Sequence, residues 1–383
     1  MPKSSDKLSN DRAEGRCARV SVNPSAIILS DNFSPLLNPP KPFDIADLRV
    51  HAKARGFIDG DTEQADFLLQ RISYQHASEY FHLFEDSDGA IKNGSMLELH
   101  RTILFDREFQ SLLMKYIGIF ELAFRAQYSY RFSMERGSFA HRNIKNFKNK
   151  DHFKKFLKRY GDELGRQMKK KNKGLMKAYQ QYGDVPTWMA VEIMSFGTLS
   201  MLYRNTRSAK VRESVAKFFG VNSEVLVSWT RAISSARNQC AHFGKLCGQN
   251  LTSRPKKIEK VDIDNGNPFY IVLILEKLLT SKRIFLDDQS LSQILFLIND
   301  FASLFSKYQK EASRCKIPTN WKKLMLCTEV TGFDFSEVDE TVQEGDISEF
   351  CIVLKEEGTG REAFLHSDGR VTFQNSVKSN ASI

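Results

Sequence analysis

The sequence predicts a mainly α-helical protein, a helical bundle with additional helices and a small C-terminal β appendage. Three observations carry that expectation. Apolar residues recur at three- and four-residue intervals through most of the stretch from Asp44 to about residue 309. Strand signals appear only from residue 349 onward. The composition, 41% hydrophobic with 29 Phe, supplies ample core material, whereas disordered chains are poor in aromatics.

Residues 1–40 are turn-rich and weakly patterned and read as an irregular arm that runs into NPPKPF. Helical patterning begins near Asp44, and ADFLLQRI, around Asp66 to Ile72, reads as a short amphipathic helix. From Ser95 a much longer run places Leu97, Ile103, Leu104, Phe105, Phe109, Leu112, Leu113, Tyr116, Ile117, Phe120 and Phe124 on one stripe. One helix or two in series both satisfy that pattern, and Gly118 does not choose between them. Asp184-Val-Pro186 opens the next helix with proline in its first turn, and WMAVEIMSFGTLSMLY, apolar on most sides, follows as a buried segment.

Gly220 stops a short helix, and Asn222 or Ser223 caps its successor, SEVLVSWTRAISSARNQCAH, whose inward side is Val225, Leu226, Trp229, Ile233, Ala236 and Cys240. Helical runs near 268–280 and 288–309 come next. The strands EFCIVL (349–354), EAFLH (362–366) and RVTF (370–373) close the pattern, the last two joined by Ser367-Asp368-Gly369. This organises the chain as an arm (1–40), a helical core (41–250), additional helices (251–312) and an acidic linker with the β appendage (313–383).

Several classes are excluded. Glycine and cysteine contents rule out collagen-like and disulfide-scaffold proteins. The most apolar stretch, FYIVLILEKLL at 269–279, is far short of the roughly 20 residues a bilayer demands. MPKSSDKLSN has no apolar signal region, and the six cysteines (17, 240, 247, 315, 327 and 351) form no C-x-x-C pair. Reduced thiols in a cytoplasmic protein are therefore expected, with neither structural zinc nor a disulfide framework.

Charge is unevenly placed. The chain carries a net +10, and Arg142 to Lys177 alone holds 14 Lys/Arg against Asp151, Asp162 and Glu163. The basic segment contributes +11, so everything else sums to −1. Its cations include Lys154, Lys155, Lys158, Arg159, Arg166, Lys169, Lys170, Lys171 and Lys173. Such a density suits neutralisation of phosphates, and RNA is the expected partner. Phe147, Phe153, Phe156, Leu157 and Tyr160 lie between the charges; 153, 156, 157 and 160 have helical spacing, so most should face the core rather than stack on bases. Thr328–Glu357, with ten acidic residues against Lys355 alone, reads as a solubilising linker.

No GxxxxGK[ST], HExxH, GxSxG or GxGxxG motif is present, and Asp262-Ile-Asp264 reads as solvated acids rather than a metal site. No cofactor or metal is expected. The remaining candidate is Arg237-Asn-Gln-Cys-Ala-His242. The same Arg-x4-His spacing recurs at Arg71–His76, Arg136–His141 and Arg361–His366, so context decides. Only Arg237–His242 sits near the end of a strongly patterned helix with a polar residue, Asn238, directly after the arginine.

In these segments the chain resembles the abortive-infection (Abi, AbiD/AbiF-like) proteins of bacterial phage defence, which carry a HEPN ribonuclease domain. The resemblance runs from about Lys41 to Leu246 and is carried by KPF (41–43), FLLQRISYQHASEYFHLF, LFDREFQSLLMKYIGIFELAFRAQ, WMAVEIMSFGTLSMLY and SWTRAISSARNQCAHFGKL. It implies a HEPN-like bundle for 41–250, a toxin-type endoribonuclease, and Arg237, Asn238 and His242 as the signature. It further implies a homodimer with a composite site.

The residue chemistry is consistent with that implication. A histidine titrates near neutrality and can move the protons of 2′-hydroxyl attack; arginine stays charged and offers a planar donor fork to the phosphate; Asn238, one turn before His242, can orient it. Five residues of helix give about 140° of rotation and about 7.5 Å of rise. The two side chains therefore border one cleft only if it straddles the helix end or a second copy contributes. In the bland alternative Arg237 forms a salt bridge and His242 caps the helix. Glu121 and Arg125, at i and i+4, either pair within their own helix or support the motif helix across the core. The competing function is an RNA-binding protein without turnover, holding a structured noncoding RNA as antitoxin or regulator; a protein–protein adaptor is a third.

Overall fold

Short polar side chains decide where the helices begin. Ser73, Ser95, Asn149, Asn172, Ser195, Ser208 and Asn222 each accept the backbone N–H of the residue three positions on, the N-cap bond that satisfies a donor the helix itself cannot. The structure, a computed structural model, describes residues 42–58, 62–92, 94–279 and 288–326 and four strands between 333 and 374; for those strands, for 288–295 and for Gln64 and Leu326 it describes the backbone alone. The expected arm, 1–40, lies outside the described residues. Two units divide the chain, Met1–Asp44 and Ile45–Ile383, and every element below belongs to the second.

The helices are α1 (Ile45–Ala54), α2 (Thr62–Arg71), α3 (Tyr74–Ser78), α4 (Met96–Arg136), α5 (Lys150–Lys169), α6 (Lys173–Tyr182), α7 (Thr187–Ile193), α8 (Phe196–Asn205), α9 (Ala209–Phe218), α10 (Ser223–Ala241), α11 (Phe269–Leu279), α12 (Asp288–Lys307), α13 (Gln309–Arg314) and α14 (Trp321–Leu326). Two-residue strands β1 (Phe57–Ile58) and β2 (Gly94–Ser95) pair in parallel. Near the C-terminal end β3 (Phe333–Asp334), β4 (Ile352–Glu356), β5 (Glu362–Leu365) and β6 (Val371–Gln374) form an antiparallel sheet in that order. The protein is mainly α with a small β appendage, as the sequence predicts.

The long apolar stripe is one helix. Over its 41 residues α4 runs unbroken through Gly118, about 60 Å at helical rise. Helices α2, α7, α9, α10, α11, α12 and α13 all pack against it. Phe120, Phe124, Tyr128 and Phe132, four residues apart, form a buried ladder with successive ring centroids 5.7, 6.4 and 5.2 Å apart. Phe196 meets Phe120 and Phe124 edge-on at 6.1 Å, locking α8 to that ladder.

Three expectations need correction. WMAVEIMSFGTLSMLY is not one helix: Met194 is extended and Ser195 caps a new start, so α7 ends and α8 begins there. Pro186 stands just before the first turn of α7, as its N-cap. The thiols are not all reduced, since Cys247 is joined to Cys315 with Cα atoms 4.7 Å apart across 68 residues. Both cysteines lie on segments anchored to α4, a tertiary meeting that no local spacing signals. Cys240 is free and buried, which pushes its thiol up to about 12; Cys17, Cys327 and Cys351 lie outside the described residues.

Candidate functional site

Arg237 and Asn238 occupy the last turns of α10, and His242 is its C-cap. The termination is a Schellman turn: the Gly244 N–H bonds to the Gln239 carbonyl at 2.8 Å and the Phe243 N–H to that of Cys240 at 3.1 Å. The left-handed position is Phe243, φ +56°, rather than glycine, which comes one residue later. A bulky side chain there is strained, and α4 holds it in place. Arg107 donates to the Phe243 carbonyl at 2.9 Å and lies 5.5 Å over its ring, while Gln110 donates to the Gly244 carbonyl at 3.2 Å. The His242 ring is exposed and, among the described residues, makes no side-chain hydrogen bond.

Glu121 joins the two expectations for its pair. Its carboxylate binds Arg125 within α4 and also lies 3.9 Å from the Arg237 guanidinium on α10. Arg125 is buried and donates further to the carbonyls of Val191 and Met194, the latter at 2.8 Å. Because α7 breaks at Met194, the Met194 carbonyl lies outside the helix, and the Val191 carbonyl, which accepts the Met194 N–H at 3.3 Å, takes the Arg125 guanidinium as a second donor. The unforeseen break is therefore what accommodates a buried guanidinium, which fixes Glu121, which in turn meets Arg237. Arg237 also approaches the Asn238 side-chain oxygen at 3.4 Å. Beside them Gly197 lets α8 approach α10: a Cβ there would stand 3.3 Å from Ser234 Oγ.

A second layer went unread in the sequence. Asp106, fully buried on α4, accepts from Tyr80 at 2.7 Å and from the backbone N–H groups of Leu246 and Cys247 at 3.1 and 3.2 Å. Burial raises its pKa, opposed by those bonds. Lys245, also buried, donates to the Glu79 carbonyl and packs on Tyr80, and burial lowers it to about 8. His76 contacts Arg107, and burial followed by the Arg107 charge lowers its pKa. The readable signal was Asp106 and Gln110 interrupting an apolar stripe between Phe105, Phe109 and Leu113.

Among the described residues the other Arg-x4-His spacings, Arg71–His76 and Arg136–His141, form no comparable site. Arg71 lies over the Phe67 ring at 3.4 Å, and Arg136 pairs with Glu135 at 3.0 Å. His141 is fully buried against Thr187 at 3.0 Å, and burial lowers it to about 4. Arg361 and His366 lie outside the described residues. Among the described residues no group of three or more His, Cys, Asp or Glu could hold a metal ion, and no helix is long and apolar enough to cross a membrane. Asp264 binds Arg254 at 2.8 Å and the Gly266 N–H at 3.0 Å, closing its own loop.

The basic segment spans α5 and the start of α6. Lys154, Lys155, Lys158, Arg159, Arg166, Lys169, Lys170, Lys171 and Lys173 are all exposed, and only Arg166, held by Glu163, is ion-paired among them. Phe153, Phe156 and Tyr160 face inward as the spacing predicts, stacked with Phe147 through centroid distances of 4.9 to 6.2 Å. They anchor the cationic helix and offer no ring to solvent. No curated protein and no solved structure matches the chain. Residues 67–247, which contain the α10 turn, its α4 supports and the basic segment, match the family model described as Abi-like protein.

Proposed function

We propose that the protein is an abortive-infection toxin, an endoribonuclease that cleaves RNA by 2′-hydroxyl attack without a metal. The observation that carries this reading is the end of α10: Arg237 beside Glu121, Asn238 next to it, and a His242 ring exposed and unengaged at the cap. The match of residues 67–247 to the Abi-like family model supports the abortive-infection setting. In the reaction His242 takes the 2′-hydroxyl proton as the oxygen bonds to phosphorus, and Arg237 neutralises the pentavalent phosphate. The bond to the 5′-oxygen breaks, that oxygen gains a proton, and the products are a 2′,3′-cyclic phosphate and a 5′-hydroxyl. Since Arg237 and His242 leave the helix end in different directions, a homodimer that brings two such ends together supplies the second proton-carrying group.

The test is purified protein on end-labelled RNA in EDTA. Wild type should generate cyclic-phosphate ends, and His242→Ala should lose about 10²- to 10⁴-fold in rate. Equal cutting by both proteins, or no cutting of any RNA by wild type, removes the proposal. The exposed, unpaired lysines of α5 and α6 favour one second reading, an RNA-holding protein without turnover whose noncoding RNA acts as antitoxin or regulator. Nucleic acid that copurifies with a cleavage-silent wild type would select it.

A further inference from the structure

The rings buried inside the basic segment leave an electrostatic track with nothing to hold a base. Immediately beyond it, three exposed aromatic residues gather at the turn between α6 and α7. Tyr179, Tyr182 and Trp188 are 46, 55 and 47% exposed, although large apolar rings are usually withdrawn from water. Phe139 stands edge-on to Tyr182 at 6.0 Å. Phe139, Tyr182 and Trp188, together with Pro186 and Met189, wall a pocket of about 400 Å³, within the usual range of small-ligand clefts.

The pocket's α6 side is shaped by small residues. Gly174 and Ala178, one turn apart, leave room below the rings, while Lys177 and Gln181 border the pocket beside them. Among the described residues neither the Lys177 ammonium nor the Gln181 amide has a hydrogen-bond or ion-pair partner, and the Trp188 indole N–H is equally unengaged. Lys177 follows Lys173 by one helical turn, so the charge of Lys169–Lys173 continues to the pocket's edge. Apolar faces for stacking, an adjacent cation and free amide and indole groups are what an unpaired base on a polyanionic strand requires.

We infer that the pocket between α6 and α7 is a stacking subsite for one unpaired base of an RNA strand tracking along the basic face of α5 and α6. The inference rests on the proposal that RNA is the partner and adds where the strand is gripped. An apolar side chain of a protein partner is the competing occupant, and the surrounding cations disfavour it only if that protein is not acidic.

The probe is a short oligoadenylate titrated into the full-length protein in EDTA, with the same strand carrying abasic sugars and an RNA duplex as companions. Of the three tryptophans Trp229 is buried and Trp321 is partly buried against the core, so quenching of tryptophan emission by the oligoadenylate should come chiefly from the exposed Trp188. Trp188→Ala should abolish most of that quenching and weaken binding about tenfold. Trp188→Phe should restore the affinity, and the salt dependence should stay that of wild type. Wild type and Trp188→Ala should bind the abasic strand and the duplex equally. Because Trp188 is half exposed, a circular dichroism spectrum and melting curve should show the fold retained.

The subsite is overturned, with RNA binding intact, if Trp188→Ala holds oligoadenylate as tightly as wild type while substitution of Lys169, Lys170 and Lys171 weakens it. It is also overturned if the abasic strand suffers the same loss, or if an acidic peptide quenches Trp188 and oligoadenylate does not. Failure of wild type to bind any RNA ends both the subsite and the proposed function.

Discussion

At the scale of single residues, the centre of the site is a carboxylate. Among the described residues Glu121 is the group that is ion-paired to both the buried Arg125 and the half-exposed Arg237. Removing its charge leaves Arg125 with the Val191 and Met194 carbonyls but releases Arg237 from α4. Glu121→Gln should therefore cost a modest amount of stability, about 1–2 kcal/mol, read as a shift in urea midpoint. Its effect on cleavage should be larger, about 10- to 100-fold, because the guanidinium loses its alignment. Cleavage at the wild-type rate by a folded Glu121→Gln protein would show that the bridge serves packing alone. The i, i+4 spacing made Glu121–Arg125 legible in the sequence. The link to Arg237 was not decided there, because it depends on how α4 and α10 cross.

At the scale of elements, periodicity revealed the helices and failed where a single residue ends one. The stripes of α4 and α10 were readable because each buries one continuous face, and Asn222 and Gly220 act as the polar cap and the stop that their chemistry suggests. The break at Met194-Ser195 was hidden, since both flanking segments are apolar and only the Ser195 side chain, accepting from Thr198, marks a new start. The support under His242 was hidden for a similar reason: Asp106, Arg107 and Gln110 act across more than a hundred residues of chain. Continuity of α4 also makes a stability prediction. Gly118 is helical, and a Cβ there would meet nothing within 4 Å. Gly118→Ala should stabilise the protein by about 0.5–1 kcal/mol, since glycine in a helix interior has more backbone freedom to lose. An unchanged or lower denaturation midpoint would mean that α4 needs flexibility at its middle.

At the scale of the whole molecule, charge is segregated, with +11 in residues 142–177 and −1 in the remainder. The fold keeps that segregation by sinking the aromatic face of α5 into the core and turning its cations outward. An RNA strand bound there displaces counterions from its phosphates, so affinity must fall as salt rises, by about 0.7 in logarithmic slope for each phosphate neutralised on a single strand. Lys169, Lys170 and Lys171 are exposed and unpaired at the end of α5, where three charges can be removed without opening the core. Lys171 has φ +56°, which asparagine tolerates, so the variant of choice is Lys169→Gln, Lys170→Gln and Lys171→Asn together. Its salt slope for single-stranded RNA should be shallower than wild type by about 2. Because the His242 ring is part of the chemistry rather than of this cationic track, His242→Ala should keep the full slope. A triple variant with the wild-type slope would place the RNA elsewhere on the surface, and with it the reason for so concentrated a charge.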